Sequence, residues 1–405
     1  MIGQLVPRGE FLVFSTAGYW QVPLIDAAKK AGFQTIAVDS DSSAPGLDIA
    51  DYAIVWDIHD FEAVANQIEF VTKKISGAVS YCSDAGINLS NFLMTHFDCP
   101  KSLISNGANF TNKGIQRQLL RENGVLIPDF EIFSEISQAE LFCNALSFPY
   151  VIKPVDSAGS RGVCIVTDLS QIKEAIANAF NFSNTGQIII ECYMPGDEYT
   201  LEVFALEGII HPLLITKKVK VSTAVQTVAS ELWAVDINNP KFEQILNLGL
   251  SAFQSLNLKT GAGHIELIAD GNLNPIGVVE AANRGGGFNL ATKFIQRATG
   301  IDFVSLSLSP FTKEKFPAVT PKFNPGVLMF FPTQKGQLSA ISGLDACSMQ
   351  DGVEIEILAT LGRVYNGPES DADRLCSVIV SAKKIELVQQ KLQYVRNNLN
   401  FEFKL

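Results

Sequence analysis

The beginning of the chain alternates short apolar runs with helical stretches, and this alternation constrains the fold more than any other feature. Helical periodicity covers Val22–Ala31 and Phe61–Ile75. Four apolar runs of strand length surround these stretches: Phe11–Phe14, Phe33–Val38, Tyr52–Trp56 and Gly77–Tyr81. Strands that alternate with helices pair in parallel and are buried on both faces. The pattern therefore predicts an α/β fold that opens with a doubly wound parallel sheet.

A parallel sheet of this kind often binds a dinucleotide at the turn after its first strand. That turn needs three glycines in the pattern G-x-G-x-x-G, and only Gly18 stands in place. Asp39 ends the second strand at a ribose-binding distance from the turn, but an aspartate there is more often a turn residue. The sequence therefore favours a structural turn over a nicotinamide-dependent oxidoreductase, which would need the missing glycines.

The charge composition of the chain argues against two classes of binding partner. The 405 residues include 31 Lys and Arg against 42 Asp and Glu, so the net charge is −11. Nucleic acids and anionic membranes bind positive patches, so we expect neither partner. No apolar stretch reaches the roughly 18 residues of a membrane span.

Seven scattered cysteines without a CxxC pair indicate reduced thiols and a cytoplasmic protein. The early LVPRG stretch resembles a protease-recognition sequence, so no inference rests on residues before Glu10.

The strongest local signal is the segment Lys153–Val163, KPVDSAGSRGV, in which a strand delivers a lysine to a loop of small residues. Small residues let successive backbone N–H groups converge on phosphate oxygens, and Lys153 and Arg161 add positive charge. The lysine precedes the loop and no helix follows directly, so this is not the Gly-Lys-Ser/Thr P-loop. The residues predict either a phosphate-binding loop or an ordinary hairpin turn.

Two acidic residues occupy neighbouring predicted strands, His264–Ala269 and Pro275–Glu280. If these strands form a hairpin, Glu266 and Glu280 face one ligand. Two close carboxylates repel each other unless a cation lies between them, and Mg²⁺ commonly binds one or two carboxylates plus substrate phosphates. Arg284 and the three glycines after it add a positive charge and backbone donors for a developing oxyanion.

Three further positions are open to more than one interpretation. The strand Ile188–Glu191 runs into a polar turn whose backbone can bind an adenine edge, although any strand that leaves a core looks similar. His264 lies on the same strand face as Glu266, so it contacts substrate or supports the core. Lys217 and Lys218 are either phosphate contacts or a solvated strand face, and Lys217 is slightly favoured as the contact.

In this order and spacing, the segments resemble the ATP-grasp superfamily over nearly the whole chain, in particular its L-amino-acid-ligase and carbamoyl-phosphate-synthase-like members. Asn112–Gly114, followed by Leu119 and Pro128, resembles the helix whose lysine binds phosphate in that family. The resemblance implies three parts. They are an N-terminal Rossmann-like domain at 1–106, an ATP-grasp domain at 107–309 with a lid at about 125–195, and a C-terminal subdomain at 310–405 that completes the substrate side.

The resemblance also implies a role for each matching residue. Lys113 and Lys153 are the two nucleotide lysines, and Glu266 and Glu280 bind Mg²⁺, for which Mn²⁺ can substitute. The catalytic residues implied are Lys153 and Arg284, the latter at the transferred phosphate or the substrate carboxylate. The other ATP contacts implied are a mobile loop of Ser157, Gly159, Ser160, Arg161 and Gly162, the backbone of Glu191, Cys192, Tyr193 and Met194 at the adenine, Glu198 at the ribose, and Lys217. The substrate contacts implied are Arg284, Gly286, Gly287 and His264.

The sequence departs from the family at the metal. The family often carries Glu-x-Asn-x-Arg, whereas here Ala282 stands at the Asn position and Asn283 comes one residue later. On a strand, that offset points Asn283 to the opposite face, so we leave it out of the metal set. The loop after Lys153 is also less glycine-rich than in biotin carboxylase.

The resemblance implies an ATP-dependent carboxylate–amine ligase that forms an amide or peptide bond through an acyl phosphate and releases ADP and phosphate. Its partners would be small-molecule carboxylate and amine substrates, and the enzyme would be a homodimer. Two alternatives stay open: a carboxylase or carbamoyl-phosphate-type enzyme that uses bicarbonate, and a non-catalytic ATP-binding module. Chemistry of this kind depends on positioning and charge neutralisation, which suits a site rich in lysine, arginine and acids.

Overall fold

The computed structural model describes residues 9–222, 227–312, 316–367 and 373–404. The predicted run of antiparallel strands at Tyr199–Val235 therefore includes positions 223–226 that lie outside the described residues. Most of the LVPRG stretch and parts of the predicted C-terminal subdomain lie outside them as well.

Four parallel strands form the N-terminal sheet in the order β3-β2-β1-β4. Because the order reverses at β1, the predicted doubly wound sheet is confirmed. The strands are β1 (Phe11–Phe14), β2 (Gln34–Asp39), β3 (Tyr52–Val55) and β4 (Gly77–Val79). The helices are α1 (Val22–Ala31), α2 (Pro45–Ile49), α3 (Phe61–Val71) and α4 (Ile87–His96). Helix α1 ends at Gly32, whose φ of 104° favours glycine.

A second sheet is antiparallel, with the strand order β5-β8-β6-β7. Two short helices precede it, α5 (Ala108–Thr111) and α6 (Lys113–Glu122). Its strands are β5 (Phe130–Phe133), β6 (Tyr150–Pro154), β7 (Cys164–Val166) and β8 (Ile188–Cys192). Helices α7 (Ile136–Cys143) and α8 (Ile172–Asn181) pack against its apolar face. Helix α7 begins and ends earlier than the Gln138–Leu146 that periodicity alone predicts.

The largest sheet has eight strands in the order β13-β12-β9-β10-β11-β14-β18-β16. Those in its first half are β9 (Asp197–Leu206), β10 (Ile209–Ser222), β11 (Thr227–Val235), β12 (Gly261–Ala269) and β13 (Pro275–Ala282). Strand β9 is buried along most of its length because apolar cores cover both faces of the sheet. Leu201 and Val203 face α9 (Glu243–Ser255), while Phe204 packs in the core shared with α1. The N-terminal domain is therefore joined to this sheet by an apolar interface.

The C-terminal strands continue the same sheet. Strands β14 (Gly326–Pro332), β16 (Val353–Ile357) and β18 (Arg374–Ser381) extend it beyond β11. A separate three-stranded sheet contains β15 (Lys335–Ser342), β17 (Val364–Asn366) and β19 (Asn400–Lys404). The helices of the last third are α10 (Ile295–Thr299), α11 (Phe303–Leu308), α12 (Leu344–Ser348) and α13 (Ile385–Asn398), and α10 follows a π-helical turn at Leu290–Phe294. The division of the chain at 310 stays a prediction, since strands on both sides of it share one sheet.

The structure also bears on the expectations about the cysteines and about membrane-spanning helices. All seven cysteines are free thiols. Within the described ranges, no helix has the length and apolar character that a membrane span requires.

Candidate functional site

A polar face on the large sheet brings the two predicted metal carboxylates close to the predicted ribose contact. Glu266 on β12 lies directly opposite Glu280 on β13 and opposite Thr200 on β9, and Glu198 lies opposite Lys218 on β10. Directly opposite residues of antiparallel strands project from the same face of a sheet. The predicted hairpin therefore exists, and it places the two carboxylates side by side.

Lys113 connects this face to the second sheet. Its Nζ lies 2.9 Å from Glu280 Oε1 and donates a hydrogen bond of 2.7 Å to the carbonyl oxygen of Ser157. Helix α6 begins at Lys113 because the Asn112 side chain accepts the Ile115 amide, an N-cap that fixes the first turn. The predicted nucleotide lysine thus lies between a predicted metal carboxylate and the predicted phosphate loop.

Glu266 is surrounded by positive charge. Lys218 Nζ lies 2.6 Å from Glu266 Oε1 and also contacts Glu198, while His264 Nε2 lies 3.8 Å from Glu266 Oε1. Burial alone would raise the pKa of Glu266, but Lys218 and His264 hold it well below its usual range. Glu198 also pairs with Lys220. Glu198, the predicted ribose contact, is therefore already neutralised by two lysines.

The structure corrects the choice between the two lysines of β10. Lys217 Nζ lies 2.7 Å from Asp197 Oδ2, and both side chains are partly exposed on the other face of the strand. Successive side chains of a strand point to opposite faces, so only one of the pair can reach the carboxylates. That residue is Lys218, and we replace Lys217 by Lys218 in the candidate site.

His264 lies in a buried network and not at an open surface. Its Nδ1 contacts Glu202, which is completely buried and also accepts the Gly286 amide at 3.2 Å. Burial alone would lower the pKa of His264, but the Glu202 carboxylate outweighs it and raises the pKa to about 9. His264 therefore links Glu266, a predicted metal carboxylate, to Glu202 and the glycine run, which supports the interpretation of His264 as an interior support.

Lys153 and Glu191 form part of a buried charge cluster beneath the second sheet. Glu191 Oε2 lies 2.6 Å from Lys153 Nζ, and Glu191 Oε1 accepts a hydrogen bond of 2.7 Å from Arg117 Nε. Burial would raise the pKa of Glu191, yet the two cations lower it to about 2. Burial, together with the neighbouring cations Arg117 and Lys113, lowers the pKa of Lys153 more than Glu191 raises it. The side chain of Glu191 thus has a role that its predicted backbone contact did not include.

The loop from Ser157 to Gly162 is exposed from Gly159 to Arg161, and its backbone takes left-handed conformations that favour glycine. The φ angles of Gly159, Ser160 and Gly162 are 66°, 59° and 73°. A Cβ at Gly162 would lie 2.8 Å from Pro154 Cγ, so the close approach requires glycine. Arg161 is exposed, and its Nε bonds only within the loop, to the Ala158 carbonyl at 3.1 Å.

The turn after β8 contains an unpaired backbone donor among the predicted adenine contacts. The Cys192 amide donates to Asp129 at 2.9 Å and the Tyr193 amide to Pro149 at 3.4 Å. In the described part of the chain, no acceptor is paired with the Met194 amide. Of the predicted adenine contacts, Met194 is therefore the one whose backbone N–H is available.

Arg284 is fixed by the N-terminal domain. Its Nε and Nη2 each donate a 3.0 Å hydrogen bond to the carboxylate of Asp84, in the loop after β4. The next amide, of Gly285, donates to Tyr81 in the same loop at 2.8 Å. Asn283 donates to the Ala262 carbonyl at 3.0 Å, on the face away from Glu280. The arginine and the glycine run are thereby held at the interface between the two domains.

Three residues of the site were not predicted from the sequence, namely Arg117, Glu202 and Asp84, whereas Lys218 was considered but not preferred to Lys217. Arg117 follows Lys113 by one helical turn, a spacing that places both on one helix face. Glu198, Thr200 and Glu202 alternate along an otherwise apolar strand, which indicates a polar face. No local pattern distinguishes Asp84 from other loop acids.

The donor set suits a cation that is shared with a phosphate ligand. Within the described residues, no group of three or more His, Cys, Asp or Glu side chains is arranged to hold a metal ion. The direct pair Glu266 and Glu280 supplies two hard oxygen ligands, and Mg²⁺ typically needs no more from the protein when phosphates supply the rest. These residues therefore fit Mg²⁺ bound together with a nucleotide.

Comparison with known protein families confirms the resemblance. Residues 146–292 match the ATP-grasp domain, and residues 328–404 match the L-amino acid ligase C-terminal domain 2. The first match contains Lys153, Glu266, Glu280 and Arg284. The second begins within β14, at Leu328, and includes the strands and helices that follow it.

Individual relatives agree with these matches to different extents. The L-arginine-specific L-amino acid ligase of Bacillus subtilis is 21% identical over 78% of this chain and 77% of that protein. The phosphoribosylamine–glycine ligase of Lactococcus lactis is 28% identical, but the match spans only 26% of either chain. The crystal structure of the L-amino acid ligase from Bacillus licheniformis superposes with a TM-score of 0.83 at 20% identity, over 99% of this chain and all of that one. The last comparison shows that the two chains share one fold.

Proposed function

Because the chain belongs to the ATP-grasp superfamily, we propose that it is an ATP-dependent ligase that joins a carboxylate to an amine through an acyl phosphate. The direct cross-strand pair of Glu266 and Glu280 is the observation that carries this proposal. Two carboxylates in that position, each beside a lysine, form a site for the phosphates and Mg²⁺ of a nucleotide. Bound there, Mg²⁺ would neutralise charge on the transferred phosphoryl group.

The nucleotide would lie between the second sheet and the large sheet. Lys113 and Lys153 supply positive charge from the two sides, and the free Met194 amide can donate to an adenine nitrogen. The exposed Arg161 can reach phosphate oxygens from the loop. Buried Glu191 orients Lys153, and Glu280 together with the Ser157 carbonyl orients Lys113, so little side-chain ordering remains to be done when the nucleotide binds.

The reaction follows from positioning and charge. A substrate carboxylate oxygen attacks the γ-phosphorus of ATP, the bond to ADP breaks, and an acyl phosphate forms. An amine nitrogen then attacks the acyl carbon, phosphate leaves, and the ammonium proton passes to solvent. Arg284, held by Asp84, would bind the substrate carboxylate or the phosphate that leaves. No nucleophilic side chain is needed, which suits a site of lysines, arginine and acids.

The L-amino acid ligase relatives lead us to propose amino acids as substrates, with a peptide bond as the product. The chain spans about a quarter of its phosphoribosylamine–glycine ligase relative, whose activity carries less weight here. We further propose that the protein is a cytoplasmic homodimer, in line with its acidic composition and free thiols.

Phosphate release over a panel of amino acids, offered singly and in pairs, tests this function. We expect release that depends on one pair or a small group of pairs, with ADP as the nucleotide product. Glu280→Gln, assayed at limiting Mg²⁺, serves as the low-activity control in the same assay. Release that requires bicarbonate but no amine would favour a carboxylase, and no release with any substrate would favour a non-catalytic ATP-binding module.

A further inference from the structure

Two consecutive residues after the glycine run have a left-handed backbone. The φ angles of Phe288 and Asn289 are 52° and 68°. Asparagine tolerates this conformation, but an aromatic residue rarely adopts it unless its surroundings impose it. The pair directly follows Arg284 and Gly285–Gly287. The path of the segment from Arg284 to Gly287, which is predicted to contact the substrate, therefore depends on the contacts that hold Phe288 and Asn289 in this conformation.

Asn289 is held by two strands of the C-terminal region. Its Nδ2 donates hydrogen bonds of 2.7 Å to Glu356 Oε2 on β16 and to Ser377 Oγ on β18. Glu356 and Ser377 are directly opposite each other across the two strands, and Asn289 is almost completely buried. Its Oδ1 accepts a hydrogen bond of 3.0 Å from Thr292, so both ends of the amide are satisfied.

Glu356 also contacts side chains from the N-terminal domain and from the segment that follows the glycine run. The hydroxyl of Tyr19, in the segment after β1, donates to Oε1, and Lys293 Nζ lies 2.6 Å from Oε2. Burial would raise the pKa of Glu356, but Lys293, Tyr19 and Asn289 together hold it below its ordinary value. One ionised carboxylate thus ties the N-terminal domain and the glycine-run segment to the C-terminal strands.

We propose that Glu356 is a positioning residue for the ligase reaction, which it serves by holding Asn289 and thereby the segment from Arg284 to Gly287 in the conformation that receives the substrate carboxylate. This inference rests on the proposed function. It gives the L-amino acid ligase C-terminal domain, which begins after the ATP-grasp match ends, a part in the active site. Glu356 itself touches no reacting atom in this account.

The chain offers a matched control two residues away. Glu354 lies on the same strand and the same face, and it pairs with Lys293 at 3.0 Å and with Arg297 at 3.1 Å. Its contacts do not include Asn289. Glu354→Met therefore removes one carboxylate from the same strand and the same lysine without releasing the amide of Asn289.

Hydrogen exchange in the full-length protein tests the proposal independently of activity. Methionine has a similar length but no oxygen to accept the Asn289 hydrogen bond. In Glu356→Met, we expect the amides of the peptide from Arg284 to Leu290 to exchange at least about tenfold faster than in the wild type, and in Glu354→Met to exchange at the wild-type rate. With a working substrate pair, Glu356→Met should raise the KM for the carboxylate at least about fivefold and leave the KM for ATP within about twofold. A wild-type exchange rate in folded Glu356→Met would overturn the proposal, whereas a wild-type protein that releases no phosphate would refute the proposed function alone.

A reciprocal exchange of partners guards against a variant that only damages the fold. Asn289→Asp sets two carboxylates against each other, and an aspartate accepts the left-handed backbone as an asparagine does. Combining it with Glu356→Gln reverses donor and acceptor and restores the hydrogen bond. We expect the double variant to recover slow exchange and a lower carboxylate KM than Asn289→Asp alone. If the double variant is no better than Asn289→Asp, Glu356 does not position the segment through its hydrogen bond with Asn289, and the proposal fails.

Discussion

Lys153 and Glu191 form an ion pair that is buried on both sides, with 2.6 Å between Lys153 Nζ and Glu191 Oε2. Arg117 binds the other carboxylate oxygen, so a single acid orients two cations beneath the candidate nucleotide site. A buried pair of this kind adds little net stability, but removing one partner leaves an uncompensated charge. We therefore regard Glu191 as a positioning residue for Lys153 and Arg117, and we expect its replacement to lower the stability of the fold.

Glu191→Gln should lower the free energy of unfolding by about 3 kcal/mol at pH 7. The folded-state pKa of Glu191, about 2, lies below its ordinary 4.5. Its contribution is therefore present at neutral pH and lost as the pH falls from about 4.5 towards 2. Urea unfolding at several pH values should show the two proteins converging in acid, whereas Glu131→Gln on an exposed position of β5 should match the wild type throughout. A difference that persists unchanged in acid would contradict the assignment.

The two lysines of β10 should differ sharply when each is replaced. Lys218→Met should lower kcat/KM for ATP at least about tenfold, because Glu198 and Glu266 lose the cation they share. Lys217→Met should change kcat/KM for ATP less than about twofold, since that lysine pairs with Asp197 on the other face. Steady-state kinetics on both variants, with thermal unfolding as the check on folding, make the comparison. Equal losses would show that the polar face is not the nucleotide site.

Glu280→Gln should lower turnover at least about tenfold at limiting Mg²⁺, because a negative oxygen ligand opposite Glu266 is lost. Raising the Mg²⁺ concentration should recover part of the activity. The measurement is turnover as a function of free Mg²⁺ in the wild type and the variant. Near-normal turnover of the variant at limiting Mg²⁺ would remove Glu280 from the metal site.

The loop from Ser157 to Gly162 should become ordered when nucleotide binds. Its small residues leave few packing contacts, and the converging N–H groups and Arg161 gain phosphate partners. Hydrogen exchange across the loop should slow when a non-hydrolysable ATP analogue and Mg²⁺ are added. Arg161→Ala should raise the KM for ATP or lower turnover with little change in unfolding free energy, because the side chain is exposed. Equal protection with and without the analogue would reject a phosphate-covering role.

Much of this architecture could be predicted from the sequence because local patterns determine it. The apolar runs predicted the parallel sheet, and the two neighbouring predicted strands that carry Glu266 and Glu280 indicated the hairpin that pairs them. Which lysine of β10 faces the site could not be predicted, because it depends on the register with β9. That register includes a shift between Pro212 and Leu214 that no local pattern signals.

Long-range partners were the other feature that the sequence could not reveal. Asp84 is 200 positions from Arg284, and Glu356 is 67 positions from Asn289. Each pair forms only because strands from different parts of the chain meet. Arg117 was the exception, since its spacing from Lys113 on one helix face could have identified it.

The most direct test of the central claim follows an oxygen atom through the reaction. A substrate amino acid labelled with ¹⁸O in its carboxylate is incubated with the enzyme, ATP, Mg²⁺ and the amine partner, and the products are examined by mass spectrometry. An acyl phosphate places one labelled oxygen in the phosphate that leaves, so the account predicts ADP and phosphate carrying ¹⁸O. AMP with pyrophosphate, or ADP with unlabelled phosphate, would contradict it.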